Sequence, residues 1–194
     1  MDKFLKLSIS IAVLVLAFGT AAASTVLGLS VEDQARLANL VIVGTIVGQQ
    51  GIDHADNGLE TEVTMVVRET YKGDVKPGET VIFHTRGGEL DGVISEAVGE
   101  AVFKTGEDVL VFIEEVDGRL YNLGLSMGVW NVLEDKAGRM SFTRAIRDGL
   151  LVVGDEQIEY GPIPANRMKQ RIAHAMNNPQ FDNQLLREQV GTGR

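Results

Sequence analysis

Residues 119–132, Arg-Leu-Tyr-Asn-Leu-Gly-Leu-Ser-Met-Gly-Val-Trp-Asn-Val, hold the most regular alternation in the chain and its single Trp. A period of two places successive side chains on opposite faces of a strand, whereas a helix repeats every 3.6 residues. Tyr121, Leu123, Leu125, Met127 and Val129 fall on one side of this pattern. Asn122, Gly124, Ser126, Gly128 and Trp130 fall on the other. The stretch is therefore read as one long strand returning from a hairpin at Asp117-Gly118, a turn pair suited to positive φ. A chain organised around it is mainly β.

The flanking segments agree. Residues 39–47, Asn-Leu-Val-Ile-Val-Gly-Thr-Ile-Val, are rich in β-branched side chains and predict a strand buried on both faces, with Gly44 marking a bulge or bend. Residues 59–71 alternate again, with Val63, Met65 and Val67 on one face and Glu60, Glu62 and Thr64 on the other. Further strands are expected over 80–85, 108–116 and 140–143, with an edge at 150–153. Ser30 begins a short helix as its N-cap, with Glu32 and Asp33 in the first turn. A second helix starts around Pro164 and carries Met168, Ile172 and Ala175 at helical spacing. The expected architecture is a small OB-like (Greek-key) β-barrel of five to six strands, with a short N-terminal helix and a C-terminal helix.

Residues 1–23 are set apart from this domain. Lys3 and Lys6 precede an apolar run over 7–18, and Ala21-Ala22-Ala23 satisfies the small-x-small rule for cleavage before Ser24. The run is short for a membrane span, although an uncleaved anchor is the competing reading. The expected organisation is a signal peptide over 1–23, one domain over 24–178 and a loose polar tail over 179–194. The expected location is periplasmic or extracellular, with no stable membrane insertion after cleavage.

Composition removes several classes of function. With no Cys there is no thiol nucleophile, no Cys-ligated zinc and no redox pair, and an exported domain must stand on its core alone. The net charge is −9, and losing Lys3, Lys6 and Asp2 with the leader makes it about −10. Such a surface repels phosphate backbones, so no nucleic-acid partner is expected.

One string resembles a catalytic signature. Gly124-Leu-Ser-Met-Gly128 fits the nucleophile-elbow pattern, and Asp148 or Asp155 and then His174 follow in the order of an α/β-hydrolase. An elbow needs a strand, a sharp turn and a helix within a parallel sheet, and residues 129–133 are strand-like instead. A serine hydrolase using Ser126, Asp155 and His174 is therefore the alternative, and the expectation is no enzyme.

His54, with Asp53 and Asp56, lies in a polar stretch read as a solvated loop over 49–58, and no metal or other cofactor is expected. The acidic pairs Glu60/Glu62, Glu96/Glu100 and Glu114/Glu115 are read as solvated strand faces. The least regular segment is 86–100, which carries Gly87, Gly88, Gly92 and Gly99. A long Gly-rich excursion between strands is where function tends to sit. Arg86, Gly87, Gly88, Glu89, Asp91 and Gly92 are accordingly the expected binding residues, together with the stretch 49–58.

Several strings resemble exported bacterial and archaeal proteins of unknown function. They are Ala-Asn-Leu-Val-Ile-Val-Gly-Thr-Ile-Val over 38–47, Val-Thr-Met-Val-Val-Arg-Glu-Thr-Tyr-Lys-Gly-Asp over 63–74, Thr-Arg-Gly-Gly-Glu-Leu-Asp-Gly over 85–92, and Thr-Gly-Glu-Asp-Val-Leu-Val-Phe-Ile over 105–113. The resemblance runs from about residue 31 to residue 133. Those proteins look like part of the broad OB-fold group that includes the tissue inhibitors of metalloproteinases, and some accompany matrixin-type proteases. The resemblance implies a TIMP-like barrel that binds an exported protein such as a protease. It brings no catalytic residues. Where that family reads Gly-Leu-x-Gln-Gly-Lys-Phe, this chain has Met127 and Val129-Trp130, and it lacks the N-terminal Cys by which the inhibitors chelate zinc.

Overall fold

The computed structural model describes residues 24–55, 58–154 and 158–178. The expected leader, the expected tail, Asp56, Asn57 and Asp155 lie outside the described residues.

In chain order the elements are β1 (Ser24–Gly28), α1 (Val31–Leu37), β2 (Leu40–His54), β3 (Gly58–Lys72), β4 (Thr80–Leu90), β5 (Val93–Glu96), β6 (Asp108–Val116) and β7 (Arg119–Asn122). There follow a single 3₁₀ turn (Leu125–Gly128), β8 (Val129–Glu134), β9 (Met140–Arg144), β10 (Leu150–Gly154), β11 (Ile163–Pro164) and α2 (Ala165–Asn177). The described residues thus hold more strands than the five to six expected, because the outer elements add to the central ones. Neither helix is long and apolar enough to cross a membrane.

The central strands close on themselves. β2 pairs antiparallel with β3, and β3 with β4. β4 meets β7 in parallel at His84 and Tyr121. β7 pairs antiparallel with β6, and β6 with β2. The other half of that β6 edge, Val109–Val111, carries β8. β9 and β11 extend the sheet outward from β8, while β1 and β10 form a separate parallel pair.

Alternation sorts the apolar side chains into two cores. Ile42, Ile46, Val63, Met65, Val81, Phe83, Val109, Val111 and Ile113 point into the ring, and Ala101 and Phe103 plug it. The opposite face of β2 and β6, through Val41, Val43, Leu110 and Phe112, packs against Ala35 and Leu37 of α1, Met168 and Ile172 of α2, and Trp130 and Phe142. Each fully buried aliphatic or aromatic side chain of this kind contributes about 1.5–3 kcal/mol. Ser30 caps α1 as expected, its side chain accepting from the Asp33 N–H at 3.1 Å. Arg171 of α2 reaches Glu32 of α1 at 2.6 Å and ties the two helices together.

The long strand expected over 119–132 is broken. β7 stops at Asn122, Gly124 and Leu125 both take left-handed φ values of 66° and 57°, and one 3₁₀ turn precedes β8. The turn folds back so tightly that a Cβ on Gly128 would lie 2.1 Å from the Leu123 carbonyl oxygen. Leu123 and Met127 are both buried, one on each side of this fold-back, so the apolar pattern persists although the strand does not. Partners hold the turn on several sides. Asn122 donates to the Leu125 carbonyl, the Ser126 N–H to the Gly99 carbonyl, and Gln34 and Arg144 to the Met127 carbonyl. The stretch is the crossover that carries the chain from the ring to the outer strands.

Candidate functional site

Both segments expected to be loops are strands, and they meet. β2 continues through 49–54 and β3 begins at Gly58, so the expected polar loop is the distal half of a long hairpin. The segment 86–100, expected to lack regular structure, contains the end of β4, a tight turn at Asp91 and Gly92 (φ 52° and 79°), and β5. It forms a two-stranded ribbon in which Gly87 faces Glu96 and Leu90 faces Val93.

The ribbon lies against the β2–β3 hairpin through glycine. A Cβ on Gly51 would sit 1.9 Å from the Glu89 carbonyl oxygen, and one on Gly88 would sit 2.7 Å from Thr61 Oγ1. Only residues without a side chain permit such backbone approach. Thr61 Oγ1 donates to the Gly87 carbonyl at 2.9 Å. The six expected binding residues therefore belong to one continuous projection. Within it Arg86, Glu89, Asp91 and Gly92 are exposed and Gly87 is buried.

The ends of this excursion are tied by a buried carboxylate. Glu100 accepts from the Arg86 N–H at 3.2 Å, from the Ala101 N–H at 2.9 Å and from Asn122 Nδ2 at 2.8 Å. Burial pushes its carboxyl above the ordinary range, and the hydrogen bonds from Asn122, Ala101 and Arg86 offset that only in part.

A second carboxylate lies under the outer face of β3, β4 and β7. Glu60 faces Arg86 across the ladder and its side chain is 1% exposed. It accepts from Arg119 Nη2 at 2.9 Å and Tyr121 Oη at 3.0 Å. His84 lies beside Tyr121, with ring centroids 5.6 Å apart, and its Nδ1 is 3.1 Å from the Leu120 carbonyl. Glu62, opposite His84, approaches His84 Nε2 to 3.8 Å. The reading of Glu60 and Glu100 as solvated thus fails, and His84 is nearly buried as well. The available signal was the pair Arg119 and Tyr121, two apart on β7 and so on one face, which supply donors across β4 to an outward Glu on β3.

The described residues of the hydrolase alternative have other partners. Ser126 is fully buried, and its Oγ accepts from the Arg147 N–H at 3.2 Å. His174 is exposed on α2, and its ring nitrogens lie 3.2 and 3.4 Å from Asn178 Nδ2. Asp148 is exposed near the start of β10. Among the described residues no group of three His, Asp or Glu side chains is spaced to hold a metal ion.

Charge distinguishes the projection from its surroundings. No Lys or Arg occurs from Gly87 to Phe103, while Glu89, Asp91 and Glu96 are all exposed there. Val93 and Ile94 are 61% and 67% exposed, the two most exposed large apolar side chains among the described residues. No protein-family model matches the chain, and no curated protein matches it.

Proposed function

We propose that this chain is an exported, non-catalytic binding module on an OB-like barrel, and that its partner is another exported protein, of which a protease is one case. The working surface is the ribbon over 86–96 together with the distal β2–β3 hairpin. The observation that carries the reading is the convergence of these two segments. They are docked through Gly51 and Gly88 and closed at the base by the bond from Arg86 to Glu100. A pre-ordered projection loses little entropy on binding, which favours recognition.

The strand circuit supports the OB-like part. Numbered within the ring, β2, β3, β4, β6 and β7 follow the order 1-2-3-5-4-1, with the third and fifth in parallel. A five-stranded Greek-key barrel calls for such an order, which supports the reading. The leader-like composition of 1–23 supports export. A buried Ser126 bonded to a backbone N–H supports a structural role for that serine.

The test is capture from the native envelope or culture fraction by the mature chain. It compares the wild type with a Glu89→Lys/Asp91→Lys variant. A specific partner retained by the wild type and lost by the variant is the expected result. Equal capture by both assigns the surface elsewhere. Labelling by a fluorophosphonate that disappears in Ser126→Ala overturns the non-catalytic reading.

A further inference from the structure

We infer that the outer edge of β5 receives an extended basic segment of the partner as an added antiparallel strand. This rests on the binding-module reading and names how that surface works. In a two-residue hairpin the pair flanking the turn, here Leu90 and Val93, is the hydrogen-bonded one. Ile94 is therefore in a non-bonded pair with Glu89 and turns its N–H and C=O away from β4. Among the described residues β5 pairs with β4 alone, so that edge is open.

Folded proteins protect open edges with Lys, Pro, bulges or brevity. β5 is short, with four residues, but it has no Lys, no Pro and no register break, and it carries Val93 and Ile94 in solvent. Charge selects the occupant. Glu89, Asp91 and Glu96 surround the edge without a salt-bridge partner among the described residues, and the nearest basic side chains in sequence are Arg86 and Lys104. A second copy of this chain would bring the same three carboxylates from each side into one interface, which opposes self-pairing. An extended segment alternating basic and apolar residues gains the free backbone groups of Ile94, contact with the exposed aliphatic pair and cancellation of the acidic charge.

The probe is a capped peptide of about ten residues alternating Lys and Val, long enough to cover a four-residue edge. Binding is followed by fluorescence anisotropy, and protection of the Ile94 amide by hydrogen exchange. Two control peptides are an alternating Glu–Val sequence and the Lys–Val sequence N-methylated along one edge. The expected result is salt-sensitive binding of the Lys–Val peptide with protection of Ile94. Affinity falls about tenfold on N-methylation of the peptide and on Ile94→Pro, as loss of main-chain bonding requires. If Ile94→Pro perturbs the fold, Glu89→Lys/Glu96→Lys serves as the second variant and is expected to lose the salt-sensitive part.

Equal binding of the N-methylated or Glu–Val peptide, binding without Ile94 protection, or no binding overturns the strand-addition inference. Capture of the native partner that survives Ile94→Pro but not Glu89→Lys/Asp91→Lys leaves the binding-module reading standing while strand addition fails. Capture indifferent to every one of these substitutions removes both.

Discussion

The guanidinium of Arg144 lies 4.4 Å from the ring centroid of Trp130, and both side chains are buried. Arg144 donates to the carbonyls of Leu29, Met127 and Glu159 at 2.7–2.8 Å. One cation thus joins the segment before α1, the crossover turn and the segment before β11. Burial draws its pKa down to about 10, so it remains charged at neutral pH. Arg144→Leu leaves the Leu29 and Glu159 carbonyls without this donor, leaves Met127 with Gln34 alone, and removes the cation–π contact. It is expected to cost about 3–5 kcal/mol in urea unfolding. Arg144→Lys keeps the charge without the planar fork and is expected to lose less. Equal losses for the two variants would contradict this account.

Glu60 makes a second, directional prediction. Arg119→Met strands a buried carboxylate, whereas Glu60→Gln removes the charge itself. The first is expected to cost about 2–4 kcal/mol, the figure being reduced because Arg119 is partly exposed, and the second less. Tyr121→Phe is expected to cost about 1 kcal/mol. Denaturation of the single and double variants gives the coupling, and an Arg119→Met loss no larger than that of Glu60→Gln contradicts the arrangement.

The raised pKa of Glu100 predicts a pH slope. The folded state holds this proton more tightly than the unfolded chain, whose carboxyl titrates at about 4.3. Folding therefore binds protons in the window from that value up to the folded pKa, and stability falls as pH rises through it. Glu100→Gln is expected to flatten that slope. Urea midpoints measured against pH for both proteins check the sign, and an unchanged slope assigns it to other groups.

The docking of ribbon on hairpin predicts opposite outcomes for two glycines on β2. Gly51→Ala drives a methyl into the Glu89 backbone, and its expected cost is about 1–3 kcal/mol, with faster amide exchange along β5. A Cβ at Gly48 meets nothing closer than Thr64 at 3.7 Å, so Gly48→Ala is expected to be neutral or mildly stabilising. Equal effects at the two sites would show that the ribbon is not seated where the close approach places it.

Period-two alternation located β3 and both ends of the crossover, because burial on one face of a strand writes itself into every second residue, whereas β2 was marked by a run of β-branched residues, since both faces of its first half are buried. It did not reveal the break at Gly124, since a left-handed Gly-Leu pair and one 3₁₀ turn leave Leu123 and Met127 buried at the same spacing as a strand. The extent of β2 and β4 was also hidden. Polar residues 49–54 and the glycines near 87 carry weak β signals, and their pairing is set by the neighbouring strand. The segment 86–100 stood out by its glycines, but it holds a two-stranded ribbon where an irregular excursion was expected. Glycine there serves close packing of a ribbon, not looseness. Glu60 and Glu100 read as solvated because their donors come from β7 and from the Arg86 and Ala101 N–H groups, which a single strand's sequence does not display.

The most direct test of the central claim is hydrogen exchange of the mature chain with and without its captured partner. Protection concentrated in 86–96 and the distal β2–β3 hairpin is the predicted result. Protection confined to the helices or to β9 and β11, with the ribbon exchanging as freely as in the isolated chain, would contradict it.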